Sequence, residues 1–88
     1  MLERDLRIIN PLGLHARAAA KLVRCAVAYR SSVSLVRDES TADAKSILSV
    51  LALAAAFGTT VRVTVDGPDA EAAMKDIAVL FLSGFGEI

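Results

Sequence analysis

The chain is expected to fold as an α/β open-faced sandwich: a four-stranded antiparallel sheet with three helices on one side, in the order βαββαβα. Three observations point there. Short segments alternate apolar and polar residues, as half-buried strands do. Between them lie segments with apolar residues at helical spacing. Clusters of Gly, Pro, Asn and Asp punctuate the junctions. Strands with one apolar face need cover on that face only, so the helices share a side.

Leu2 to Ile9 places Leu6 and Ile8 on one face and Glu3, Asp5 and Arg7 on the other, giving a first strand. Asn10-Pro11-Leu12-Gly13 breaks it, because proline holds Asn10 extended and Gly13 permits a tight turn. His15 to Tyr29 has no Gly or Pro, and Ala19, Leu22, Val23, Ala26 and Tyr29 recur at helical spacing opposite Lys21 and Arg24. Val33 and Leu35 alternate with Ser32 and Ser34 in a second strand, Ser32 to Arg37, and Ser40 to Asp43 pairs back after an Asp38-Glu39 turn. Ser46 is a good N-cap for a second helix that runs toward Gly58. Val61, Val63 and Val65 alternate with Arg62 and Thr64 in a last strand, Thr59 to Asp66. Gly67-Pro68-Asp69 then leads into a helix with Asp69 as its N-cap, Glu71 in its first turn, and a buried stripe of Ala73, Ile77, Leu80 and Phe81; Gly84 stops it.

At 88 residues a single domain, 1–88, is expected, and 55% apolar residues, with sixteen alanines, supply a core in which helices lie close to the next layer. Ten basic and ten acidic side chains give a net charge of zero, which argues against nucleic-acid binding through bulk electrostatics. Cys25 stands alone, so no internal disulfide forms, and one histidine with one thiol makes no structural zinc site. The charged start Met1-Leu2-Glu3-Arg4-Asp5 is not a signal peptide, and the apolar run Ile47 to Phe57 is too short to span a bilayer. A soluble cytoplasmic domain with no membrane partner is expected.

The chemistry centres on Gly13-Leu14-His15-Ala16-Arg17. With a helix starting at Ala16, His15 sits at the N-cap, beside backbone N–H groups that have no intrahelical acceptor. Those donors and the positive end of the helix dipole suit an anion and disfavour a protonated imidazole. A neutral ring nitrogen is what a nucleophile requires. A phosphoryl group accepted there would meet the Ala16 and Arg17 amides and the Arg17 guanidinium. A single histidine near a helix start is more often a tolerated cap or surface residue, and the pattern alone does not decide between the two.

Asn10-Pro11-Leu12-Gly13-Leu14-His15-Ala16-Arg17-Ala18-Ala19 resembles the active-site signature of HPr, the histidine-containing phosphocarrier of the bacterial phosphoenolpyruvate-dependent phosphotransferase system. Ala44-Lys45-Ser46-Ile47-Leu48 resembles the family's regulatory-serine segment, and Ser83-Gly84-Phe85-Gly86-Glu87 its C-terminal ending. The similarity spans essentially the whole chain. It implies that His15 takes phosphate on Nδ1 from phosphorylated enzyme I and passes it to a histidine of a IIA component, with Arg17 steadying the group. It implies a stoichiometric carrier rather than an enzyme, with no metal or bound cofactor.

A helix as short as the second cannot bury every face, so some of Ile47, Leu48 and Leu51 should be exposed while Val50 and Leu53 are core. The resemblance makes that patch, with Ala20 and Arg24, the docking surface for enzyme I and IIA components. Arg17, Lys21, Arg24 and Lys45 are expected to ring it with positive charge that steers acidic partners. Ser46 has two readings: an N-cap, and, as in some HPr proteins, the target of a dedicated kinase/phosphorylase. Ala18 stands where proline is common in the family, Ser49 where glycine or lysine is frequent, and Val27 where a basic residue often docks; together they trim positive charge. Cys25 reads as a small hydrophobe.

Other functions stay open on the residues alone. A sandwich of this size suits RNA on its sheet or an amino acid at a dimer edge, but the strands lack paired aromatics for base stacking. A regulatory module acting through protein contacts or Ser46 uses the same residues as a carrier. A hydrolase is weakest, since no second acid or base lies near His15 in sequence.

Overall fold

The computed structural model describes residues 1–88. Strand β1 (Leu2–Arg7) is followed by helix α1 (Ala16–Val27), strands β2 (Ser32–Arg37) and β3 (Ser40–Asp43), helix α2 (Ile47–Leu53), strand β4 (Thr60–Asp66) and helix α3 (Ala70–Leu82), and a single left-handed turn over Gly84–Gly86. The sheet is four-stranded in the order β1-β4-β2-β3, with every neighbour antiparallel. This is the expected architecture.

Register follows the apolar alternation, because a slip of one residue would turn the core face to water. Leu6 pairs with Val61, and Val33 and Leu35 pair with Val65 and Val63; all six are buried. On the opposite face Asp5 pairs with Arg62 and Glu3 with Thr64, and their side chains bond across the strands at 3.3 and 3.4 Å. Helix α3 lies over β1 and β4, α2 abuts β3, and α1 packs against both helices. Phe81 of α3 and Phe85 of the last turn close the core with ring centroids 5.0 Å apart. No helix is long and apolar enough to cross a membrane.

Element ends depart from the sequence pattern where tertiary bonds intervene. Helix α2 stops at Leu53 rather than running on through Ala54-Ala55-Ala56 toward Gly58, because Ala54 turns left-handed (φ 52°) and Ala55 O accepts from Leu14 N at 2.9 Å. That bond ties the end of α2 to the segment carrying His15. Helix α1 ends two residues short of Tyr29, whose carbonyl accepts from Lys45 Nζ at 2.8 Å. Asp69 occupies the N-cap of α3 but its side chain does not cap. Its carboxylate accepts instead from Arg30 N, Ser31 N and Ser31 Oγ, at 2.8, 2.9 and 2.6 Å, and ties the start of α3 to the approach to β2. These bonds hold the Asp69 carboxyl down at about 2, the Ser31 hydroxyl contributing most. Leu80, expected in the buried stripe of α3, is only half-buried, while Ala70, Met74 and Ala78 join the core.

Candidate functional site

His15 is the N-cap of α1, with extended backbone (φ −75°, ψ −179°), and its carbonyl accepts from Ala19 N at 2.8 Å. Its side chain does not cap, so the first amides of the helix, those of Ala16 and Arg17 among them, have no backbone acceptor and face outward. Two contacts fix the approach. Gly13 takes φ +64°, and a Cβ there would lie 2.6 Å from Ala55 O, so only glycine lets the turn press against the end of α2. Asn10 O accepts from Gly13 N at 3.1 Å and closes the turn.

The imidazole is part-exposed, its side chain at 29%, and lines a shallow depression with Pro11, Leu12, Ala16, Arg17, Lys21 and Glu87. Its Nε2 lies 2.6 Å from Glu87 Oε2. Glu87's other oxygen, Oε1, accepts from Asn10 Nδ2 at 2.8 Å. The Asn10 amide and then the His15 ring hold the Glu87 carboxyl below its ordinary range, so at neutral pH it is ionised. An ionised carboxylate only accepts, so in the neutral ring the proton sits on Nε2 and the lone pair on Nδ1. Nδ1 has no hydrogen-bond partner in the protein.

The chain reaches this geometry through its last turn. Gly84, Phe85 and Gly86 take φ of 60°, 55° and 74°, three left-handed residues in succession that turn Glu87 back toward α1. A left-handed phenylalanine costs about 1–2 kcal/mol. Burial of its ring, which is 1% exposed, offsets that with about 1.5–3 kcal/mol. Lys21 Nζ donates to Phe85 O at 2.6 Å and pins the turn to α1.

The remaining expected site residues divide clearly. Arg17 is exposed on the rim of the depression and its guanidinium makes no hydrogen bond or ion pair, so it is free to meet an anion; Arg24 is exposed as well. Lys21 and Lys45 keep their positive charge but not their freedom, since their amines donate to the backbone carbonyls of Phe85 and Tyr29. Ile47 and Leu48 are exposed, Leu48 at 77%, while Leu51 and Ala20 are half-buried and Val50 and Leu53 are core. Ser46 is the N-cap of α2, its Oγ accepting from Ser49 N at 3.3 Å. Ser49 Oγ in turn accepts from Asp43 N at 2.9 Å. Cys25 is half-buried against α3, and burial followed by Asp76 raises its thiol above the ordinary range, the state of an inert small hydrophobe. No group of three or more metal-ligating side chains converges anywhere in the fold.

Sequence reasoning missed Glu87 and Asn10. Glu87 is 72 residues from His15, and a terminal glutamate carries no local signal of partnership. Leu12, 72% exposed, adds an apolar side chain to the lining of the depression.

The family model described as "PTS HPr component phosphorylation site" matches residues 2–83. The chain belongs to the HPr family. Phosphocarrier protein HPr of Cupriavidus necator is 49% identical over 87 residues, covering 99% of this chain and 98% of its own. Phosphocarrier protein NPr of Shewanella violacea is 41% identical, covering 98% and 94%. The crystal structure of HPr-C-His from Thermoanaerobacter tengcongensis superposes with a TM-score of 0.96 at 36% identity, covering 100% of this chain and 99% of that one. Fold and family thus agree with the resemblance read from the Gly13–Arg17 motif.

Proposed function

We propose that this HPr-family chain accepts a phosphoryl group on His15 Nδ1 from phosphorylated enzyme I and passes it to a histidine of a IIA component. One observation supports the choice of atom: Glu87 occupies Nε2 and leaves Nδ1 as the free nucleophile at the helix N-terminus. In the forward step the Nδ1 lone pair attacks phosphorus and the donor's P–N bond breaks. The donor imidazole leaves with that electron pair, and the His15 proton stays on Nε2. Positive charge grows on the ring as the new bond forms, and the Glu87 carboxylate sits where it balances that charge, as the aspartate of a Ser-His-Asp triad does. The Ala16 and Arg17 amides and the unpaired Arg17 guanidinium receive the phosphoryl oxygens. Transfer to the next histidine is the same displacement in reverse, so positioning carries most of the catalysis and the partner supplies part of the site. The chain is regenerated only by a new donor, as a carrier and not an enzyme.

Ile47, Leu48, Leu51, Ala20 and Arg24 form the docking surface in this reading, and a partner that reaches Nδ1 also covers Leu12. Ser46 favours a second, regulatory use. Its hydroxyl caps α2 immediately before the exposed Ile47 and Leu48, so phosphate added by a kinase/phosphorylase would place negative charge inside the docking patch without removing the helix.

Incubation with enzyme I and radiolabelled phosphoenolpyruvate tests the carrier reading. Acid-labile, base-stable label is expected on the chain and is lost in His15→Ala. Arg17→Ala should take label and hold it for a shorter time. Label that survives in His15→Ala overturns the reading.

A further inference from the structure

We propose that Asn10 is a positioning residue for phosphoryl transfer: its buried carboxamide holds the Glu87 carboxylate on His15 Nε2 and thereby presents Nδ1. The inference deepens the proposed function and rests on His15 being the acceptor. Asn10 is fully buried, and both N–H groups of its Nδ2 are used. One goes to Gly13 O at 2.8 Å, two residues before the imidazole. The other goes to Glu87 Oε1 at 2.8 Å. A single rigid amide therefore fixes both the turn that carries His15 and the carboxylate that orients it. Two oxygens around one atom identify that atom as nitrogen, since a flipped amide would set oxygen against oxygen.

The other half of the same amide is the second observation. Asn10 Oδ1 is buried and has no hydrogen-bond partner. Buried polar atoms are almost always paired, and an orphan calls for a compensating reason. An apolar side chain would fill the space without it; an aspartate would turn a charge onto Glu87. Only a carboxamide of this length supplies two donors toward Gly13 and Glu87, and the orphan oxygen comes with them. Glu87 otherwise follows a run of left-handed residues held through the Lys21 bond to Phe85 O. Lys21 and Arg17 line the same depression as Glu87, and neither bonds it.

The test uses the unphosphorylated chain alone, with histidine labelled with nitrogen-15, and follows exchange of the His15 Nε2–H proton with water by NMR. Asn10→Asp, which keeps the shape and loses both donors, should speed exchange about tenfold, the effect of one lost hydrogen bond to a charged group. Glu87→Ala should do the same, and the double variant should exchange no faster than Glu87→Ala. Exchange within about twofold of wild type in Asn10→Asp, or effects that add in the double variant, overturns the proposal. If Asn10→Asp fails to give the folded sheet's amide spectrum, the wild-type Asn10 side-chain protons decide. They should lose about tenfold in protection in Glu87→Ala, and unchanged protection overturns the proposal. In the transfer assay Asn10→Asp should lower kcat and leave KM for enzyme I unchanged, because the docking surface is untouched. A wild-type chain that takes no phosphate sinks the carrier reading by itself, while the exchange data still measure the Asn10–Glu87–His15 coupling.

Discussion

Replacing Gly13 by alanine isolates the contact that sets the His15 turn against α2. Gly58 supplies the control. Both glycines are left-handed, at φ +64° and +84°, so each alanine variant meets the same backbone penalty. That penalty is about 1–2 kcal/mol, reduced by about 0.4–1 kcal/mol because alanine also restricts the unfolded chain. Gly58→Ala should therefore lose about 1 kcal/mol, since the nearest atom to its new Cβ is the flexible end of Arg7 at 3.9 Å. At Gly13 the new Cβ falls 2.6 Å from Ala55 O and 3.0 Å from Ala56 Cα, both backbone. The two segments must part, straining or breaking the Leu14 N to Ala55 O bond of 2.9 Å. Overpacking of this kind adds about 1–3 kcal/mol, for a total near 2–4 kcal/mol, or a fall in Tm of about 10–20 °C in a domain this small. Urea unfolding of both variants measures the difference, and the Gly13 variant should also transfer phosphate more slowly because His15 rides on the displaced turn. Equal losses at the two glycines would refute the reasoning.

Three further outcomes follow from the packing and charge. Asp69 is depressed to about 2 in the fold, so its contribution to stability is full above the unfolded value near ~4 and is lost as pH falls through the folded one. The stability gap between wild type and Asp69→Asn should accordingly close between those values; urea midpoints that keep a constant gap down to pH ~2 contradict the assignment. Leu48→Ala should leave stability within about 0.5 kcal/mol, because the side chain is 77% exposed, and weaken binding to enzyme I about tenfold in titration calorimetry; unchanged affinity removes Leu48 from the docking surface. Ser46→Asp should bind enzyme I more weakly at physiological salt while the helix content in circular dichroism stays the same, and equal affinity counts against the charge switch.

The fold was legible because the strands obey one simple period. Val61, Val63 and Val65 can be buried together only on one face of a strand, and Leu6, Val33 and Leu35 complete that face in register. Local residues also announced His15 and Ser46 as N-caps, since both are followed at once by helix-forming residues. What escaped depends on contacts between distant segments. Ala54 and Ala55 have the composition of a helix, and only the bond from Leu14 explains why the helix stops before them. Asp69 looks like a cap, yet Ser31 and Arg30 offer its carboxylate three donors where the helix start offers orphan amides. Lys45 and Lys21 look like mobile side chains until the carbonyls of Tyr29 and Phe85, which fix where their charges sit, are placed beside them. Glu87 meets His15 only through a run of left-handed residues, a conformation that glycines at 84 and 86 permit but do not dictate.

Which imidazole nitrogen bonds to phosphorus tests the central claim most directly. The chain, with histidine labelled with nitrogen-15, is phosphorylated through enzyme I and the phosphorus–nitrogen couplings of His15 are read by NMR. Phosphorus coupled to Nδ1, with the proton retained on Nε2 beside Glu87, is the expected result. Phosphorus on Nε2, or a stable phosphoryl group anywhere other than His15, would contradict it.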